Sequence, residues 1–302
     1  MKNLFAFAAV ALVCAACTNP AALSEDDEVS VEKQRVTFKF SPYTVTSMGA
    51  KANHAPKATR ATVPVSSVVN HLDVWLMEGD STTALTKHES VAESHQTVAD
   101  DGFGSLSLTL DKSKTYTLYA IGHKESAPAT LSTGVVSFPD TKKSQTLYYS
   151  STFTPAKTTK LNCKMLRAVG MFRIIIEDEI PSEAKKMEIT AGETPTQWSF
   201  PQHAGITPTD TYSVSWTSFK HEDDGTTMFS IYILGSDTEK HYSVTVSAYG
   251  ADGSVLKTRT FTDVPIRNNY RTIYTGSFFK DTPFSSTFQV EEDWQEYDEV
   301  EY

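Results

Sequence analysis

The chain has 302 residues, with 37 acidic against 27 basic side chains and a formal net charge of −10. That balance excludes the basic footprint on which nucleic-acid binding depends. A hydrophobic content of 39% can build cores, the length suffices for two domains of common size, and the wealth of Thr, Ser and Tyr favours strands over helices.

At the N-terminus Lys2 precedes an apolar run from Leu4 to Val13, and small residues then lead through Cys14-Ala15-Ala16 to Cys17. The run suits a signal-peptide core and is too short to span a bilayer, which takes about 20 residues. Small side chains ahead of Cys17 suit lipoprotein signal peptidase, and the Cys17 thiol can carry the thioether to diacylglycerol. Cys14 departs from the Leu usual at that place in such a site. Residues 1–16 are thus expected as a signal peptide and Cys17 as the lipidated start of the mature protein. An added amino-terminal acyl chain such as palmitate gives the two hydrophobic signals that stable anchoring needs. Residues 17–30, with acids at Glu25 to Glu28, read as a tether. The expected location is the outer membrane and cell surface. Cys163 is then the one thiol left, expected as a buried small hydrophobe rather than a nucleophile.

Beyond the tether, Arg35 to Phe40 alternates polar and apolar residues, as do Ser105 to Leu110 and Tyr242 to Ser247. Strict alternation puts one side-chain set on a core and the other in water. Leu72 to Met77 and Met171 to Ile176 read as strands buried more deeply, and Tyr116 to Ile121 and Met228 to Leu234 as further strands. Asp101-Gly102, Asp224-Gly225 and Asp252-Gly253 are tight-turn dipeptides, the last predicting a hairpin between residues 244–249 and 255–261. No amphipathic helix of ordinary length is evident. Residues 47–62 read as an exposed loop and 151–160 as a polar link. Many short strands at this spacing predict an all-β chain of two β-sandwich domains in tandem, residues 31–155 and 156–294. Residues 295–302 read as an acidic tail.

No motif for catalysis stands out. Gly-x-Ser-x-Gly, phosphate-binding glycine loops and His-Glu-x-x-His are absent from the sequence, and His71, His88 and His95 lack metal-ligand spacing. Glu177-Asp178-Glu179 and Glu222-Asp223-Asp224 have the chemistry for Ca²⁺ or acid–base work, but they sit at predicted strand ends and turns, where solvated acids are common. No catalytic residue, metal or cofactor is therefore assigned. Trp75 is expected in the core. Trp198 and Trp216 flank the loops around residues 201–211 and are the candidates for stacking on sugar rings, which makes a surface glycan-binding lipoprotein the alternative reading.

Several segments together resemble the fimbrillin superfamily of type V pili: the site ending at Cys17, His71 to Met77, Tyr116 to Gly122, Arg167 to Ile174, and above all Val264-Pro-Ile-Arg-Asn-Asn-Tyr-Arg-Thr-Ile-Tyr-Thr-Gly-Ser-Phe-Phe279. The resemblance implies two transthyretin-like, Greek-key sandwiches and a structural or adhesive role without catalysis. It implies export as a lipoprotein, then assembly with other pilus subunits by donor-strand exchange. An arginine-specific protease would cut after the first strand, and a neighbour's strand would fill the groove by β-augmentation. Arg60 is the best candidate for that cut and Arg35 the second. Cutting at Arg60 would release the lipid and give a shaft or tip subunit, whereas an uncut chain would be an anchor. Residues 284–290 are a candidate donor strand. A host or bacterial surface ligand is a further expected partner.

Overall fold

The computed structural model describes residues 32–42, 64–86, 90–140, 144–219, 226–280 and the strand 287–292. The alternating segment after the tether is strand β1, Lys33–Pro42. Val36, Phe38 and Phe40 point into a core, while Lys33, Arg35 and Lys39 face solvent. Strands β2 (His71–Glu78), β3 (Ala92–Thr97), β4 (Ser105–Asp111) and β5 (Tyr116–His123) follow. A short helix, α1 (Ser81–Ala84), is capped by Asp80. Next come β6 (Thr130–Ser132), β7 (Val135–Ser137), β8 (Leu147–Phe153) and β9 (Lys160–Arg167).

Seven of these strands form one sheet in the order β3-β2-β5-β8-β9-β1-β4. Only Leu147 with Arg167 and Tyr148 with Leu166 join β8 to β9. On either side of that narrow seam the sheet closes on itself, because Val36, Phe38, Cys163 and Met165 share a core with Leu72, Val74, Leu76 and Leu118. The stretch 151–160, read from sequence as a polar link, is the end of β8, a turn of 3-10 helix at Pro155–Lys157 and the start of β9.

The rest of the chain supplies β10 (Val169–Ile176), β11 (Lys186–Ser199), β12 (Ala204–Trp216), β13 (Thr227–Leu234), β14 (Lys240–Tyr249), β15 (Val255–Ile266), β16 (Tyr270–Gly276) and β17 (Thr287–Glu292). A sheet ordered β13-β10-β16-β17 faces one ordered β15-β14-β11-β7-β6, with β12 also paired to β11. Phe172, Ile174, Ile231 and Ile233 from the first pack on Met187, Ile189, Val244 and Val246 from the second. The Asp252-Gly253 hairpin is present, with Gly253 at φ +81°, a conformation that favours glycine. The fold is all-β and sandwich-type, as expected.

A third core joins these two layers of structure. Trp75, Met77, Tyr119, Ile121 and Tyr148 leave the outer face of the first sheet to meet Met171, Trp198, Phe200 and Leu234. This explains why β2 and β5 carry apolar side chains on both faces. β5 is buried along its whole length, with even positions in one core and odd positions in the other. The β6–β7 hairpin lies between β5 and β8 in sequence, yet it pairs with β11 through Val135 to Ser137.

Candidate functional site

The feature best suited to a protein-assembly role is the seat of β1. This strand runs parallel to β9, from Thr37 opposite Lys160 to Pro42 opposite Met165. It runs antiparallel to β4, from Lys33 opposite Asp111 to Lys39 opposite Ser105. It therefore fills a slot with backbone partners on both sides and places Phe38, fully buried, edge-on to Phe153 at 5.5 Å. Taking β1 away would leave two unpaired strand edges and apolar pockets at alternate positions, the requirements for accepting an extended segment. The slot's end is shaped by Gly104, whose carbonyl accepts the Phe40 amide at 2.9 Å. At φ +82°, any Cβ there would lie 2.7 Å from the Val65 side chain.

At the far end of the chain, β17 pairs antiparallel with β16, from Tyr270 opposite Glu292 to Thr275 opposite Thr287. Among the described residues it has no neighbour on its other side. The segment leading to it is held by Asp178, whose carboxylate accepts the amides of Phe278 (2.6 Å), Phe279 (2.7 Å) and Lys280 (3.0 Å). The candidate acid of the Glu177-Asp178-Glu179 run is thus saturated by backbone donors.

The structure gathers a polar group that sequence reasoning missed. Asp73, on β2, is fully buried and accepts from His95 Nδ1 at 2.7 Å, His123 Nε2 at 2.8 Å and the Ala129 amide at 2.8 Å. Burial pushes its carboxyl up, but the bonds from His123, Ala129 and His95 together outweigh burial and hold it below the ordinary value. His71 stacks on His123 with ring centroids 5.2 Å apart and planes 7° from parallel. Burial, then the nearby His123, lowers the His71 pKa against the pull of Asp73. The cluster ties β2 to β3 and to the loop that delivers β6 and β7 to the second sheet pair. The signal was present in the sequence as an Asp inside the apolar run Leu72 to Met77.

Trp198 and Trp216 require a correction. A sugar platform needs an exposed ring, and neither offers one. Trp198 is fully buried 4.6 Å from Tyr148, and Trp216 is 8% exposed with its ring 5.0 Å from Phe229. Trp198 lies in β11 and Trp216 ends β12, each on a side of its strand that faces a core, so both indoles are core residues. Cys163 is fully buried, and burial pushes its thiol up to about 12. Arg35 lies mid-strand in β1 opposite Thr109. Cys17, Arg60, His88 and the Glu222-Asp223-Asp224 run lie outside the described residues. Among the described residues, no three or more His, Cys, Asp and Glu side chains are grouped to hold a metal ion.

The run from Val264 to Phe279 builds the junction between the sheets. Its Arg267-Asn268-Asn269 turn joins β15 to β16. Asn268 donates to His203 O at 3.1 Å and Asp237 Oδ1 at 3.2 Å, and the Asn269 amide donates to Val169 O at 3.0 Å. Gly170 allows the turn to approach, since a Cβ there would meet Arg267 O at 2.5 Å.

These features define an all-β protein of packed sandwiches, with β1 seated between two strands and β17 at a sheet edge. The chain belongs to DUF6562, a family of unknown function, whose profile matches residues 140–300, just over half its length. No curated protein matches the sequence. Solved structures share the fold. A candidate adhesin from Bacteroides thetaiotaomicron superposes with a TM-score of 0.50 at 12% identity, over 89% of this chain and 98% of its own. A candidate polysaccharide-binding protein (DUF1812) from the same species gives 0.50 at 9% identity, over 88% and 100%. The fimbrial anchor protein Mfa2 from Porphyromonas gingivalis gives 0.46 at 10%, over 87% and 98%. At such identities the likeness is one of fold alone.

Proposed function

We propose that this protein is a structural or adhesive component of a surface fimbrium, exported as a lipoprotein and assembled by strand exchange. The observation that carries the reading is the seat of β1, paired on both flanks and bearing three core side chains. The chain beyond it holds Arg60, the candidate cleavage point, and β17 offers an edge strand suited to donation. Lipid on Cys17 would hold the uncut protein at the outer membrane. The fold's occurrence in a candidate adhesin fits a cell-surface location and a partner on a host or bacterial surface.

Mass spectrometry of the protein taken from its native surface tests this reading. A mature form beginning at Ala61, found in SDS-resistant oligomers, is the result expected of a shaft or tip subunit. One beginning at acylated Cys17 and co-purifying with fimbriae is that expected of an anchor. A chain recovered only as a monomer, free of fimbrial partners whatever its N-terminus, would count against the assembly role.

A further inference from the structure

Strand alternation gives the β9–β1–β4 half of the first sheet two opposite faces. Its inner face supplies Val36, Phe38, Cys163 and Met165 to the first core. Its outer face is exposed and basic. Lys33, Arg35 and Lys39 stand on it from β1, and Lys160 and Lys164 from β9. The parallel register sets Lys39 opposite Asn162, so Lys160 and Lys164 are its two diagonal neighbours. The one acid in the three strands, Asp111, stands opposite Lys33. Among the described residues Arg35, Lys39, Lys160 and Lys164 have no ion pair. Like charges on neighbouring strands are destabilising. Exposed lysines can guard the free edge of a sheet, but β1 is paired on both sides and needs no guard. In a chain of net charge −10, such a face fits an anionic partner.

The chain carries one within reach. β17 ends at Glu292, opposite Tyr270 in the register. Tyr270 follows Asn269, whose side chain accepts from Arg167, the last residue of β9. The sequence thus leaves β17 beside the junction where β9 ends. It continues through residues 293–302 with Asp293, Glu296, Asp298, Glu299 and Glu301 and no Lys, Arg or His. Ten residues span up to about 33 Å. From Arg167 back along β9, Lys164 is about 10 Å away and Lys160 about 23 Å. We infer that the acidic segment 293–302 docks on the β9–β1 outer face of its own chain, with Lys39, Lys160 and Lys164 taking its carboxylates. Charge, length and point of departure all select this segment. The contact needs neither lipid nor cleavage, so it stands apart from the proposed function.

The test uses protein from residue 18 onward, which carries the compact unit of residues 32–302. A dilute equal mixture of ¹⁴N- and ¹⁵N-labelled protein is treated with a carbodiimide, which joins a carboxylate to an amine in direct contact. Cross-links from Glu296, Asp298, Glu299 or Glu301 to Lys39, Lys160 or Lys164 should form within molecules of a single isotope. They should disappear in 1 M NaCl, where charges are screened beyond about 3 Å. NMR gives a second readout. Amides of 293–302 should show the ¹H–¹⁵N NOE of ordered backbone in the unaltered protein and lose it in the triple variant Lys39→Gln, Lys160→Gln, Lys164→Gln. All three side chains are exposed, and thermal melting checks that the variant folds. Cross-links in mixed-isotope pairs, cross-links from these lysines to Glu25–Glu28 instead, cross-links of 293–302 spread over lysines of other faces, or none at all would overturn the assignment. So would amides of 293–302 equally mobile in both proteins.

Discussion

Arg167 and Asn269 are joined by a hydrogen bond of 3.0 Å from the guanidinium Nη1 to the amide Oδ1. The bond links the last residue of β9 to the turn before β16, and so ties the first sheet to the second sheet pair. Arg167 is 6% exposed, and Asn269 sits at φ +61°, a conformation that Asn tolerates and Ala does not. Asn269→Ala should therefore lose both the acceptor for a buried cation and the favourable backbone, whereas Asn269→Gly loses only the acceptor. Losing one hydrogen bond from a charged group costs about 1.5–3 kcal/mol, and the left-handed backbone adds about 1–2 kcal/mol for Ala. Urea denaturation of the two variants reads the difference, and equal stability in both would mean that the turn's backbone is unstrained.

The Asp178 carboxylate does for the β17 side of the molecule what Arg167 does for the junction. Replacing it by Ala removes the acceptor of three consecutive amides, at Phe278, Phe279 and Lys280. Hydrogen bonds to a charged group contribute about 1.5–3 kcal/mol in net stability. Asp178→Ala should speed exchange at amides 278–280 and along β17 well before the cores open. Unchanged exchange in β17 would show that its pairing with β16 needs no support from Asp178.

Side-chain alternation makes β1 a two-faced strand with separable mutational effects. Phe38 is fully buried against Phe153, so Phe38→Ala should cost about 3–5 kcal/mol through lost burial and a cavity. Lys39, the exposed neighbour, should tolerate Ala within about 0.5 kcal/mol. Paired thermal melts measure both. Comparable losses in the two variants would mean that β1 is not seated as described.

Burial also decides the chemistry of Cys163. Its thiol is fully buried and pushed up to about 12, and only the thiolate reacts readily with disulfide reagents. Protein from residue 18 onward, whose single thiol this is, should resist DTNB at pH 8 until denaturant is added. Rapid modification of the folded protein would contradict the seat of β9 beside β1.

The strands that bury one clean face, such as 35–40 and 105–110, were legible because period two survives in their sequences. So was the all-β class. β11 escaped notice because Pro195 and two register irregularities, between Ala191 and Thr194 and between Pro195 and Gln197, break its alternation. The destination of β6 and β7 was invisible for another reason. Their three-residue strands carry no periodic signal, and pairing with β11 is a long-range event. Trp198 and Trp216 show the same gap at the level of single side chains. Residues 204–211, read as loop, belong to β12, and the third core that receives Trp198 forms only when two distant segments pack. The Asp73 cluster was partly legible, since the odd acid stands in plain view, while its partners His95 and His123 are supplied by pairing.

That cluster gives the fold a pH response whose sign can be worked through. His71 has a pKa lowered below its ordinary 6.5, with burial the main cause. The unfolded chain therefore takes up a proton there before the folded one does, and stability falls as pH drops below 6.5. Asp73 has a pKa held below its ordinary 3.8, burial being outweighed by His123, Ala129 and His95. Its contribution is complete above 3.8 and is lost as pH falls through the lower folded value. His241 works the other way. The Asp263 carbonyl and the charges of Asp263 and Glu239 raise it, so its stabilisation is whole below 6.5 and fades as pH rises. Being exposed, it is screened by solvent. Stability measured by urea denaturation should thus decline in two stages on acidification, one starting near 6.5 and one below 3.8. His71→Gln should flatten the upper stage and leave the lower one in place. An upper stage of undiminished slope in that variant would assign the acid sensitivity to a different histidine.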